Sequence, residues 1–210
     1  MGKKITIILG HPDSASYCAS MATAYQQAAI AAGHKVRLFK LGELDFDPIL
    51  HQGYKVVQPL EPCLVEAQEA ITWAHHLVFV YPIWWGAMPA LLKGFIDRVL
   101  LPGYAFKYRK GSSLWDKLLA GRSAELLVTM DSPPWYFRWV TRMPGHHQMK
   151  KAILEFCGIS PVQVHSFGPV RSASTERLAQ WVEKARQLGQ RQGARSAPGK
   201  PRPAPVTSSP

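Results

Sequence analysis

The chain has 210 residues, 47% hydrophobic and 19% charged, and 25 Lys and Arg against 14 Asp and Glu give a formal net charge of +11. That length suits one α/β domain that buries roughly 70% of its unfolded surface, and seven Trp, seven Tyr and eight Phe exclude a disordered, collagen-like or disulfide-framework chain. Cys18, Cys63 and Cys157 are few and far apart, which argues for a reducing compartment, by default the cytoplasm.

Residues 5–9 (ITIIL) are a short apolar run ending at Gly10, the pattern of a parallel strand covered on both faces. The apolar stretch there is too short for the core of a signal peptide. Residues 16–32 have a helical pattern that stops at Gly33, and residues 36–39 form the second strand. After a polar, Pro-bearing stretch at 44–62, a helix over 63–74 precedes the strongest strand signal, residues 77–81, which ends at Pro82. The run 70–92 has no formal charge and is long enough to cross a bilayer. Pro82, Gly86, Pro89, His75 and His76 interrupt it, so a strand, turn and buried helix are expected and membrane insertion is not.

A helix is predicted over 90–101, with Leu91, Phe95 and Val99 on one face, followed by a long irregular basic segment at 102–122. Residues 125–129 predict the fourth strand, 148–157 a helix ended by Gly158, and 162–167 the fifth strand. The last helix follows Ser174, with Leu178, Trp181, Val182, Ala185 and Leu188 in one stripe and Glu176 in the favourable first turn. Residues 1–192 are therefore expected to form the domain. Residues 193–210, with five prolines and Arg195, Lys200 and Arg202, are expected to be a disordered basic tail. Without those three charges the body stands at +8, and three charges without interleaved aromatics argue against a nucleic-acid partner.

Five strands alternating with helices predict a doubly wound, five-stranded parallel sheet in the order 2-1-3-4-5, with helices on both faces. A ligand in such a sheet sits beyond the carboxyl ends of the strands, so residues 10–18 and 82–88 should face each other, with 129–136 beside them. Neither a G-x-G-x-x-G loop nor a P-loop occurs. Residues 10–18 (GHPDSASYC) instead place an imidazole, hydroxyls and backbone N–H groups at a helix start, suited to phosphate or pyrophosphate. Trp84 and Trp85, in a turn fixed by Pro82 and Pro89, suggest a stacked planar ligand. His146, His147 and Cys157 lack a fourth nearby zinc ligand, and no G-x-S-x-G elbow supports a hydrolase. No metal is expected.

The histidine loop with Ser16-Tyr17, the Pro-x-x-Trp turn running through residues 88–94 (MPALLKG), and Gly103-Tyr104-Ala105-Phe106 together carry a resemblance. Over roughly residues 3–190 the chain resembles the flavodoxin-like NAD(P)H:quinone oxidoreductases, the family of DT-diaphorase and the modulator of drug activity B. The resemblance implies a bound flavin, FAD or FMN, with NAD(P)H as co-substrate and a quinone or other planar acceptor reduced by two electrons in a ping-pong cycle; the choice between the flavins stays open, FAD being the one expected. It places His11, Ser16 and Tyr17 at the flavin phosphates or ribityl chain, with Cys18 where many relatives carry Asn. Pro82, Ile83, Trp84, Trp85 and Gly86 would wrap the ring, their backbone amides among the donors to its N1–C2=O edge.

Thr129, Met130 and Asp131 stand where the family usually has Thr-Thr-Gly-Gly, a departure that adds side chains next to the ring. Tyr136, with His146 or His147, would hydrogen-bond the flavin carbonyl or quinone oxygen, and the aromatic stretch 135–139 would cover the flavin, a substrate or a subunit interface. Phe106 and Tyr108 would meet substrate, and Lys107, Arg109, Lys110, Lys117 and Arg122 would lie near the mouth. Relatives of this type are homodimers with shared active sites. The resemblance also admits two other roles: an ancillary subunit of a potassium efflux system, and an azo- or nitro-reductase.

Overall fold

The computed structural model describes residues 2–191, so the tail expected at 193–210 lies outside the described residues. In chain order the elements are β1 (Lys4–Leu9), α1 (Tyr17–Ala31), β2 (Lys35–Lys40), a 3₁₀ turn (Leu41–Glu43), α2 (Pro62–Trp73), β3 (His76–Pro82) and α3 (Ala90–Val99). They continue as β4 (Phe106–Tyr108), β5 (Trp115–Lys117), β6 (Ser123–Thr129), α4 (Pro134–Trp139), α5 (Pro144–His147) running into π-helical turns (Gln148–Glu155), β7 (Val162–Phe167) and α6 (Thr175–Arg191). β1, β2, β3, β6 and β7 form one parallel sheet in the order β2-β1-β3-β6-β7, the expected topology. Among the described residues no helix is long and apolar enough to cross a membrane.

Alternation along β1 divides the core. Ile5, Ile7 and Leu9 pack with Met21, Tyr25 and Leu188 under α1 and α6, whereas Ile8 packs with Leu64, Phe79 and Phe95 under α2 and α3. All seven residues of β3 are buried, as a central strand covered on both faces requires. Each fully buried Leu, Ile or Phe side chain contributes about 1.5–3 kcal/mol of transfer free energy. α1 crosses α6 closely because Gly189 has no side chain there; a Cβ would lie 2.4 Å from the Tyr25 carbonyl oxygen.

The segment 102–122 is not wholly irregular: β4 and β5 form an antiparallel hairpin within it. Strands of three residues are too short to show alternation, and tertiary packing makes them. The Trp115 ring stacks on Phe156 at 4.6 Å and its Nε1–H donates to the Phe156 carbonyl at 2.9 Å. A further element, α4, occupies part of the post-β6 loop, started by Pro134 in its first turn and held by buried Phe137. The helix expected at 148–157 begins earlier, at Pro144, and its main body is π-helical.

Two buried arginines act as struts. Arg98 donates to the carbonyls of Asp47 and Pro59 and lies 2.8 Å from Glu61 Oε2, which ties the long 44–61 excursion to α3. Arg122, expected near the ligand mouth, is instead buried before β6 and donates to the carbonyls of Ile71 and Thr72. It stands at the amino end of the sheet, one strand length or roughly 20 Å from the carboxyl edge.

A buried carboxylate lies under α1. Glu125 Oε2 accepts the Tyr25 hydroxyl at 3.1 Å, and His76 Nε2 and His165 Nε2 each stand 3.8 Å from one of its oxygens. Burial by itself would push this carboxyl up; the imidazoles outweigh burial and hold it down at about 2, against an ordinary 4.5. Unfolded chains therefore take up a proton below 4.5 that folded Glu125 refuses, so the stability it confers is complete above 4.5 and drains away as pH falls toward 2.

Two outcomes are expected. Arg98→Ala lowers the urea-unfolding free energy by about 3 kcal/mol, because it strands the Glu61 charge and frees the 44–61 excursion; a loss under about 1 kcal/mol would contradict the strut role. Glu125→Gln is less stable than wild type at pH 7, and its melting temperature falls less than that of wild type over the acid window, as read by calorimetry at stepped pH. Superimposable acid limbs would remove Glu125 as their source.

Candidate active site

Register sets the site. Leu9 pairs with Val80 and Pro82 with Thr129, so the loops leaving β1, β3 and β6 start along one carboxyl edge. Between them lies a cleft of about 170 Å³ lined by His11, Ser16, Tyr17, Cys18, Pro82, Ile83, Trp84, Thr129, Met130, Asp131 and Val170. The structure thus brings together every expected cofactor residue except Trp85 and Gly86. Val170 went unnoticed in the sequence, although it follows the carboxyl end of the fifth strand, where the sheet rule would place a ligand contact.

The floor is the start of α1. Ser16 caps it by accepting the Ala19 N–H at 3.3 Å, and no acid stands in the first turn, so the unpaired N–H groups of that turn give the floor a positive bias. The preceding loop is folded on its own side chains: His11 Nδ1 accepts the Asp13 N–H at 2.9 Å and Asp13 Oδ1 accepts the Ala15 N–H at 2.8 Å. The His11 ring then meets Trp84 edge-on at 5.5 Å, joining the first loop to the second.

Two lining groups are held neutral. Tyr17 donates its hydroxyl to the Leu178 carbonyl at 2.7 Å, and burial, with nearby Cys18, pushes the phenol up to about 12. Cys18 Sγ lies 3.2 Å from Thr129 Oγ1, joining α1 to β6, and burial pushes its thiol up to about 11.

The second loop is a tight turn. Trp84 and Ala87 exchange N–H···O bonds of 2.9 and 3.0 Å around Trp85 and Gly86, whose φ values are +51° and +78°, the signs of a type I′ turn. Trp85 consequently stands at the tip, fully exposed, rather than against the cleft. Gly86 faces Pro144 instead. The Ile83 N–H donates to the Thr129 carbonyl at 2.7 Å, so the amides of Ile83 and Trp84 serve the fold and not a ligand.

The unusual Asp131 has a structural use. Its Oδ1 accepts the Arg171 N–H at 3.0 Å, beside the Val170 N–H to Met130 carbonyl bond of 3.0 Å, so it fastens the β6 loop to the β7 loop. Gly168 permits this approach, since a Cβ there would sit 2.5 Å from the Met130 oxygen. Beyond the same loop lies a polar cavity of about 480 Å³, lined by Ser166, Gly168, Pro169, Ser172, Ala173, Ser174, Arg177 and Trp181 at the start of α6.

Other expected residues lie elsewhere. His146 is buried, its Nε2 is 2.8 Å from Ser166 Oγ and its ring is edge-on to Phe137 at 5.0 Å. Burial, with His147 nearby, pushes it down to about 4, so it is neutral at pH 7. The cause is packing: Gly145 lies so close to the Trp turn that a Cβ would be 2.7 Å from the Gly86 oxygen, which turns the next residue inward. Tyr136 is half-exposed, edge-on to Trp135, and outside the cleft lining. Phe106 and Tyr108 line a different cleft of about 360 Å³, shared with Tyr54, Ile96, Ile153 and Phe156. Lys107, Arg109, Lys110 and Lys117 belong to the hairpin region rather than the cleft, and Arg109 pairs with Asp116 at 2.6 Å. Among the described residues no group of His, Cys, Asp or Glu is placed to hold a metal.

A family model described as flavodoxin-like fold matches residues 3–189. An uncharacterized NAD(P)H oxidoreductase of Haemophilus influenzae is 28% identical over 191 residues, covering 88% of this chain and 93% of its own. The ribosyldihydronicotinamide dehydrogenase (quinone) of Rattus norvegicus is 27% identical over 222 residues, covering 89% and 92%. A crystal structure of a Streptococcus mutans protein superposes with a TM-score of 0.77 at 30% identity, covering 89% of this chain and 98% of its own.

The thiols test the closure of the cleft floor. Cys18 and Cys157 are buried and pushed up to about 11 and 12 by burial, whereas Cys63 is half-buried. Native protein is expected to give one reactive thiol with a disulfide reagent at mild alkaline pH and three after unfolding. A fast second equivalent assigned to Cys18 would mean that the α1–β6 seam opens in solution.

Proposed function

This chain belongs to the flavodoxin-like family, and from that membership we propose that it is a flavin-dependent NAD(P)H:quinone oxidoreductase. The observation that carries the reading is the cleft itself, in which a polar helix-start floor meets apolar walls at the switch point of the sheet. Its residues fit a flavin: Pro82, Ile83 and Trp84 on one side and Met130 and Val170 on the other suit a planar ring, and the acid-free first turn of α1 suits a phosphate. When bound, the flavin supplies the two-electron chemistry between NAD(P)H and a quinone.

The chain's own contribution is positional. Ser16 and the first N–H groups of α1 would hold phosphate, the His11–Trp84 contact would fix the ring's lateral position, and the Ile83 to Thr129 bond sets the separation of the walls. Such placement brings reacting atoms to about 3–3.5 Å, the distance at which hydride transfer becomes effectively unimolecular. Tyr136, at the start of α4 beyond Asp131, remains the candidate to hydrogen-bond an acceptor's oxygen. His146 is neutral and bound to Ser166, and it serves better as a prop for α5 than as a proton donor.

The polar 480 Å³ cavity next door supports FAD over FMN, because Arg177, three serines and the start of α6 suit the phosphates and sugar of an adenosine half. The 360 Å³ cleft of Tyr54, Phe106 and Tyr108 is the proposed seat of a second copy, with Tyr54 and Tyr108 exposed in its lining. The cytoplasm remains the proposed location, in keeping with three cysteines that are all free thiols.

Purified protein is expected to show flavin absorbance that NADPH bleaches and a quinone restores, with parallel double-reciprocal lines when both substrates are varied. Acid release should yield FAD, and Arg177→Ala should weaken FAD binding by about tenfold or more while leaving FMN binding nearly unchanged. A protein that stays colourless with either flavin would defeat the oxidoreductase reading, and equal losses for both flavins would defeat the assignment of the second cavity.

A further inference from the structure

The lining of the cleft holds a carboxylate with nothing to balance it. Asp131 is the single acid there, and among the described residues neither Lys nor Arg lines the cleft with it. The group is fixed in place, since Oδ1 accepts the Arg171 N–H at 3.0 Å and Gly168 lets the two loops approach. Among the described residues Oδ2 has no hydrogen-bond partner and the carboxylate forms no ion pair, so its charge stays uncompensated.

Backbone donors that could offset it are spent on the fold. The N–H groups of Ile83, Trp84 and Met130 donate to the carbonyls of Thr129, Ala87 and Phe167 at 2.7, 2.9 and 2.9 Å. These amides belong to the two walls that suit a planar ring, Ile83 and Trp84 on one side and Met130 on the other. A flavin that receives a hydride from NAD(P)H gains two electrons and one proton, so its ring gains one negative charge, which nearby donors would otherwise stabilise. Here a fixed carboxylate follows Met130 in the same wall. Like charges in one cleft repel, the more so once a ring has displaced the water between them.

We propose that Asp131 is the specificity-determining residue of this cleft: its carboxylate selects uncharged acceptors over anionic ones and disfavours the reduced cofactor relative to the oxidised one. The acceptor class is then the neutral quinone, which takes the hydride together with one proton from solvent, rather than a sulfonated or carboxylated dye. Both effects have one cause. A hydride leaves more readily from a ring whose gained charge is repelled, and an anionic acceptor entering the same cleft meets the same repulsion. The inference rests on the flavin reading of the cleft.

Two variants separate charge from structure. Asp131→Asn removes the charge and keeps a side-chain oxygen for the Arg171 N–H, so the loop fastening survives and the melting temperature should stay near wild type, whereas Asp131→Glu keeps the charge. With flavin-loaded protein at low ionic strength, the ratio of kcat/KM for naphthoquinone to that for naphthoquinone sulfonate is expected to fall about tenfold in Asp131→Asn and to hold in Asp131→Glu. Spectroelectrochemical titration, which needs no turnover, should find the flavin potential raised in Asp131→Asn by about 30 mV, the equivalent of a tenfold gain in relative affinity for the reduced form. An Asp131→Asn protein with the wild-type ratio and potential overturns the proposal. So does an equal shift in both variants, which would leave Asp131 a loop fastening only. Wild-type protein that binds neither flavin defeats the reading of the cleft and this inference with it, whereas loaded protein whose potential ignores the substitution defeats the inference alone.

Discussion

The Ile83 N–H to Thr129 carbonyl bond of 2.7 Å is the contact on which the site most depends. It continues the β3–β6 ladder one residue past the sheet, just where the two chains would otherwise diverge into loops. Similar bonds hold the flanks: Gly10 N–H to the Val80 carbonyl at 2.8 Å, and Met130 N–H to the Phe167 carbonyl at 2.9 Å. Four loops are thereby fixed at one height, and a cleft between fixed backbones needs little reorganisation to receive a rigid ring. Side chains reinforce the backbone from within, Cys18 to Thr129 across the floor and His11 to Trp84 across the mouth.

The same economy explains why so much of the fold could be read from letters alone. Continuous apolar runs such as LVFVY have few alternatives to a central parallel strand, and an Ala-rich helix between Ser16 and Gly33 carries its own start and stop. Strand order then follows from right-handed crossovers, and the ligand edge from strand order. Ten of the lining residues were legible through that chain of reasoning together with the resemblance. The hairpin was not, because β4 and β5 exist through Trp115 on Phe156, a contact 41 residues apart in sequence. Asp131 has a role that was illegible for a related reason: its partner is a backbone N–H forty residues on, so a residue that lines the cleft also fastens one loop to another.

Positive charge shows the limits of composition. A net +11 with a basic segment at 102–122 invites the idea of a cationic mouth, yet Arg122 is a buried strut and Arg109 is paired across the hairpin. Burial of Arg98 and Arg122 is tolerable because carbonyl oxygens and Glu61 accept from the Arg98 terminal nitrogens and from the Arg122 guanidinium, and such groups contribute little field at the surface. In the proposed reading, the cleft's attraction for anions would come from the N–H groups at the start of α1, and that of the neighbouring cavity from Arg177. Local dipoles outweigh net charge in placing an anion, while net charge bears on which surfaces the whole molecule approaches.

A fold that fixes its cleft so firmly leaves little of the lining to act as acid or base. His146 is neutral and hydrogen-bonded to Ser166, Tyr17 is tied to Leu178, and Cys18 is a buried thiol, so none of them is poised to give or take a proton near pH 7. Chemistry of the proposed kind does not require them to. When a cofactor carries the electrons, the protein's effect lies in orientation and in the field around the ring, and titratable groups at the wall would make both depend on pH. The exposed aromatics Trp85, Trp135 and Trp139 stand farther along the same loops, beyond the bonds that lock the loop starts.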